Sequence, residues 1–209
     1  MYQTCSQNYW FTPTFANYTA MDIPTAQMDL INEEPNFCAC NPAYMLDHST
    51  VEPIHLSAVG EKMMGNYCGI SLKQLLVDNF KFKGLTLNNY TVNGNNITLE
   101  LNVPCPPIRI DTQFVKEVSN YGFKVVKSDD SDILSSVSVY DNQVILTCSE
   151  NPVGCKLYYG FNGSAGYDGR KKGSRGNICD SGDYIYNGEI GGIKYPLRNY
   201  LYSFCISLS

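Results

Sequence analysis

The feature that most constrains this chain is a change of pattern near Asp78. Before it lies a stretch with helical spacing, and after it, from Phe80 to Tyr159, come short alternating runs separated by turn residues. Tyr90-Thr91-Val92 leads into Asn93-Gly94-Asn95, and the run from Asn96 to Val103 comes back. Asn-Gly between such runs is a hairpin signal, because tight hairpin turns need positive φ at their central positions. Val137-Ser138-Val139-Tyr140, the turn Asp141-Asn142 and Val144-Ile145-Leu146-Thr147 repeat the pattern. Pro104, Pro106 and Pro107 lack the N–H a ladder needs, so no central strand runs through them. Residues 79–209 therefore read as an antiparallel, sandwich-like β-rich domain.

Residues 1–78 read as α/β material. Ser57 to Val77 is the clearest helix, with Ser57 as N-cap and Glu61 near the positive end of the helix dipole. Val59, Met63, Met64, Tyr67, Cys68, Leu75 and Leu76 recur at helical spacing, and Gly69 is a point where the helix bends or divides. The methionine pair reads as core filler rather than a binding stripe. Asn36-Phe37-Cys38-Ala39-Cys40 reads as a short strand, followed by a polar loop from Asn41 to Pro53. Gly160 to Gly192 forms a glycine-rich loop too long for a mere connector. Tyr195 to Phe204 reads as a closing strand buried against the core.

The chain has 209 residues, 44% hydrophobic and 17% charged, enough to bury a core. A net charge of -5 speaks against a general nucleic-acid binder, which needs a basic face for phosphates. No run of about 18 apolar residues predicts a membrane span. No signal-peptide pattern opens at Met1 to Cys5. The nine cysteines cannot all pair within one chain. Buried thiols in a reducing compartment fit them, and Cys148 with Cys155 fits a hairpin staple outside one. Cys38 and Cys40 are too close for a zinc knuckle. Sequons stand at Asn17, Asn89, Asn96 and Asn162.

Only two histidines exist, His48 and His55, so a histidine base must be one of them. Glu52 precedes His55 by three residues, directly before the long helix. A carboxylate so placed can hold imidazole Nδ1 while Nε2 takes a proton from a serine. The same spacing also fits a purely structural role. His48, beside Asp47, is the alternative base. Arg170, Lys171, Lys172 and Arg175 form a basic patch near Tyr158, Tyr159, Phe161 and Tyr167. A solvated loop and a grip on an anionic polysaccharide both account for it. Gly163-Ser164-Ala165-Gly166 and Gly173-Ser174-Arg175-Gly176 are not G-x-S-x-G elbows.

The block from Val51 to Gly65, with Glu52, His55 and the following helix, resembles the last catalytic block of SGNH (GDSL-type) hydrolases. It is closest to carbohydrate O-acetylesterases related to sialate O-acetylesterase and to phage tailspike esterases. Gln3-Thr4-Cys5 and Trp10 resemble the strand and loop that precede this block. Tyr121-Gly122-Phe123, Arg175-Gly176-Asn177-Ile178-Cys179-Asp180-Ser181 and Tyr195 to Tyr200 resemble a β-rich C-terminal domain and its "RGN..DS" loop. The resemblance covers nearly the whole chain. It departs from the family in having Glu52 where Asp is usual and in lacking the G-D-S serine block and the oxyanion Gly and Asn blocks.

The resemblance implies the C-terminal part of a three-layer α/β SGNH domain over 1–78, followed by the β domain over 79–209. It implies a serine esterase acting on an O-acetylated surface polysaccharide, with His55 as base, Glu52 as orienting acid, and no cofactor or metal. The serine would come from a missing N-terminal half, expected as a stable partner, because residues 1–78 alone cannot cover both faces of a parallel sheet. The tailspike branch implies a homotrimer in the virion tail, and otherwise a secreted or cell-surface protein. Neither nucleic acid nor membrane is expected as a partner. The competing reading is a non-catalytic carbohydrate-binding or virion structural module that kept an esterase remnant.

Overall fold

The structure is a computed structural model that describes residues 21–50, 55–161, 169–182, 184–185 and 195–209. Its larger sheet grows from the two expected hairpins. Strands β1 (Thr86–Asn93) and β2 (Asn96–Asn102) pair antiparallel down to Asn93 opposite Asn96. Gly94 turns the corner at φ 59°, a conformation that costs glycine little. After the two-residue strand β3 (Arg109–Ile110) and β4 (Phe123–Val126) come β5 (Leu134–Tyr140) and β6 (Gln143–Cys148). The turn between β5 and β6 sets Asp141 at φ 53°, and the four-stranded order is β1-β2-β6-β5. The prolines lie between β2 and β3, outside any strand.

A three-stranded sheet has β7 (Lys156–Tyr159) at its centre, flanked by β4 and by β11 (Phe204–Ser207). Two small antiparallel pairs complete the set: β3 with β8 (Ile178–Cys179), and β9 (Tyr184–Ile185) with β10 (Pro196–Leu197). Alternation decides the inner faces. Ile97, Leu99, Val144 and Leu146 from the larger sheet join Phe123, Val125, Leu157 and Tyr159 from the smaller in one buried cluster. Each such side chain contributes roughly 1.5–3 kcal/mol by leaving water.

Tyr44, Met45, Leu46, Met63 and Tyr67 belong to the same cluster, so residues before and after Asp78 share a core. Helix α1 (Asp22–Glu33) is not expected from the sequence; it buries Ile31 beside Phe82 and Tyr202. Helix α2 (Ala58–Leu76) starts where predicted, with Ser57 Oγ accepting from the Gly60 N–H at 3.1 Å. It runs unbroken through Gly69. The expected strand at 36–40 is absent. Cys38, Ala39 and Cys40 are consecutively buried rather than alternating, and Ala39 N–H donates to the Phe82 carbonyl without a ladder. The closing segment has only Pro196–Leu197 and the start of β11 as strand, although Tyr200, Leu201 and Tyr202 are fully enclosed. The fold is thus sheet-rich with few helices among the described residues.

Candidate functional site

His55 stands on a narrow hairpin that feeds α2. Ser57 N–H donates to the Asp47 carbonyl at 3.0 Å, Ser49 N–H donates to the His55 carbonyl at 2.8 Å, and His48 bridges Leu56 between them. Residues 47–49 and 55–57 therefore run antiparallel, and His55 is exposed. Glu52 lies outside the described residues, as do Cys5, Trp10, Asn17, Asn162, Tyr167 and the Gly163–Gly166 stretch. His48 faces the other way and is buried. Its Nδ1 is 3.1 Å from the Leu46 carbonyl and 3.3 Å from the Gly169 N–H, and the tautomer decides which bond forms. Of the two histidines, His55 is the exposed one.

Asp47 anchors this hairpin. Its carboxylate accepts from Ser57 Oγ at 2.9 Å and from Arg170 Nη2 and Nε at 2.6 and 3.1 Å. Lys171 Nζ lies 3.6 Å away. Burial works to raise the Asp47 pKa. Hydrogen bonds from Arg170 and Ser57, with the charges of Arg170 and Lys171, outweigh it and hold the carboxyl below its usual value. The Arg170 guanidinium also lies 4.6 Å from the Phe114 ring centre and donates to the Phe114 carbonyl. Gly169 packs so tightly that a Cβ would strike the Tyr44 carbonyl and the His48 ring. The glycine-rich loop thus reaches back to the histidine hairpin.

The basic patch divides when placed in the fold. Arg175 is buried and donates to the carbonyls of Gly173, Lys116 and Glu117 at 2.7–2.9 Å. Arg170 bonds Asp47. Lys171 and Lys172 are exposed. The four do not form one solvent-facing cationic surface.

Three side chains that composition and spacing do not single out organise the surroundings. Asn177 is fully buried; its Oδ1 accepts from Val118 N–H, and its Nδ2 donates to the carbonyls of Asp111 and Val115. The Asp180 carboxylate accepts from the backbone N–H groups of Cys105, Gly182 and Asn199 and from Asn199 Nδ2. Asp111 accepts from Tyr200 OH at 2.6 Å and from Arg198 Nη1 at 3.3 Å. Burial and that carboxylate hold the Tyr200 phenol protonated well beyond its usual range. The only sequence signal for this network is the resemblance of 175–181 to an "RGN..DS" loop. No disulfide joins the eight described cysteines, and no group of three His, Cys, Asp or Glu among the described residues could hold a metal. No helix among the described residues is long and apolar enough to cross a membrane.

No known family profile matches the sequence, and no curated protein does. Among solved structures, the fold is similar to a carbohydrate acetylesterase from Xanthomonas citri, with a TM-score of 0.54 at 11% identity. The match covers 81% of this chain and 32% of that one, so the chain spans about a third of the length of the protein it resembles. The chain shares its fold with part of a carbohydrate acetylesterase.

Proposed function

We propose that this chain is the histidine-bearing part of a serine-type carbohydrate O-acetylesterase, completed by a separate part that carries the nucleophile. The observation that carries the reading is the position of His55: exposed on a braced hairpin at the head of α2, in a fold similar to one third of a carbohydrate acetylesterase. His55 Nε2 takes the proton as the partner's serine Oγ attacks the acetyl carbonyl carbon. It then delivers that proton to the departing sugar oxygen, and water releases acetate by the same steps reversed. Glu52 orients the imidazole. The need for a partner is supported by the apolar side chains left in solvent on and after α2, with Leu72, Leu76, Val77 and Phe80 50–75% exposed. An anionic polysaccharide would meet Lys171 and Lys172 beside the hairpin, while Arg170 and Arg175 stiffen the loop behind them. A tailspike origin would add a trimer in the virion tail.

The test is hydrolysis of p-nitrophenyl acetate by the chain alone and with a co-expressed G-D-S-bearing part. The chain alone is expected to be inactive and the pair active. His55→Ala should then lower turnover by several orders of magnitude, and Glu52→Ala by less. Turnover by the chain alone, blocked by a fluorophosphonate, would refute the split enzyme. Loss on His48→Ala but not His55→Ala would reassign the base. The absent serine favours one other reading, a carbohydrate-binding module without activity, which inactivity of the pair would support.

A further inference from the structure

A groove of about 580 Å³ opens on the β-rich side, lined by Glu117, Ser119, Asn120, Tyr121, Ser135 and Ser136. Its volume is within the range of ligand clefts. Hydroxyl, amide and carboxylate groups around one tyrosine are the set that recognises polyols: hydrogen bonds to ring hydroxyls and an aromatic face against the C–H face of a sugar.

The backbone that presents these groups is strained. Asn120 and Tyr121 sit consecutively at φ 49° and 52°. Asn79, Asp130 and Asp141 are the other described non-glycine residues with positive φ, and Asn and Asp tolerate that region. Tyr121 is the exception, and such residues cost about 1–3 kcal/mol and persist only where their surroundings compel them. Here they do. Arg175 binds the carbonyls of Lys116 and Glu117, Asn177 Oδ1 accepts from Val118 N–H, and Asn177 N–H donates to the Tyr121 carbonyl at 3.0 Å. A buried arginine and a buried asparagine thus hold one short surface segment in an unfavourable shape, with Tyr121 half-buried against the core at the groove wall.

We infer that the groove formed by residues 117–121 and the start of β5 is a saccharide-binding subsite, with Tyr121 as its platform. It rests on the carbohydrate reading above, but it needs no nucleophile and no partner. The chain alone binds there.

The test is two-dimensional NMR of the labelled chain against glucose, galactose, N-acetylglucosamine and N-acetylneuraminic acid, each at tens of millimolar. Amide shifts should cluster at 117–121 and 135–137 for at least one sugar. Tyr121→Ala and the groove-filling Ser135→Trp, at an exposed strand position, should each reduce them at least tenfold. Tyr121→Phe should keep them. Should Tyr121→Ala fail to fold, Ser135→Trp decides alone. Shifts elsewhere, no shifts with any of the four, or shifts untouched by Ser135→Trp overturn the assignment. Binding that persists when the assembled pair is inactive on acetyl esters would sink the esterase reading and leave the subsite standing.

Discussion

At the scale of single residues, Asp47 joins the hairpin of His55, the first turn of α2 and the glycine-rich loop through one carboxylate. Its pKa lies below the usual carboxylate value, so the folded state binds the proton less readily than the unfolded one. The stability it adds is therefore present above about pH 4, the unfolded value, and is lost as pH falls through the lower folded value. Asp47→Asn should cost about 1–3 kcal/mol at pH 7, in line with hydrogen bonds to charged groups. Urea titrations of both proteins should converge as pH falls below the folded value of Asp47, and a difference that persists there would mean that packing, not charge, is lost. This pair was not legible in the sequence. Asp47 drew notice only as a neighbour of His48, and Arg170, 123 positions away, only as part of a basic patch. Residue type announces a cation, but not whether it meets solvent or a carboxylate. His55 stands out as a candidate because histidine is rare here: two histidines leave little to choose between.

At the scale of elements, α2 was readable because its signals agree: a serine cap, an early glutamate and apolar side chains at helical spacing. Helix α1 was not, since among its described side chains only Pro24 and Ile31 are buried, and Pro24 stands in its first turn, where a proline is tolerated but reads as a break. The hairpins were readable from local turn chemistry, whereas the run at 36–40 misled because its burial comes from Phe82 and Tyr202, distant in sequence. The glycines of α2 separate further. A Cβ at Gly65 or Gly69 meets nothing within 4 Å, whereas at Gly60 it would collide with the Asp47 carbonyl. Gly65→Ala and Gly69→Ala should each stabilise by about 0.5–1 kcal/mol. Ser57→Ala should cost about 1 kcal/mol. Gly60→Ala should destabilise most and disturb the hairpin of His55. Melting temperatures of the four variants give the order, and a destabilised Gly69→Ala would show that α2 is bent there after all.

At the scale of the whole molecule, the fold is tied together by side-chain bonds to backbone rather than by one continuous sheet. Asn177 alone satisfies Val118 N–H and the carbonyls of Asp111 and Val115. Asn177→Ala should therefore cost about 3 kcal/mol or more, because each buried group left unpaired costs roughly 1–3 kcal/mol. The loss should show as a lower urea midpoint with an unchanged slope. A fall in slope instead would mean that only the 111–121 region loosens. The end of the described chain is woven in the same way. Asn41 Nδ2 and Tyr67 OH both donate to the Arg198 carbonyl, Tyr44 OH donates to the Leu201 carbonyl, and Leu201 bridges Leu85. During synthesis, the β1–β2 hairpin can form as it emerges, but the core that Tyr44, Met63 and Tyr67 share with Tyr200 and Leu201 cannot close until residues 198–202 have left the ribosome. Until then Tyr44, Met63 and Tyr67 lack their partners from that segment, so the nascent chain is exposed to aggregation while the residues between them are being made.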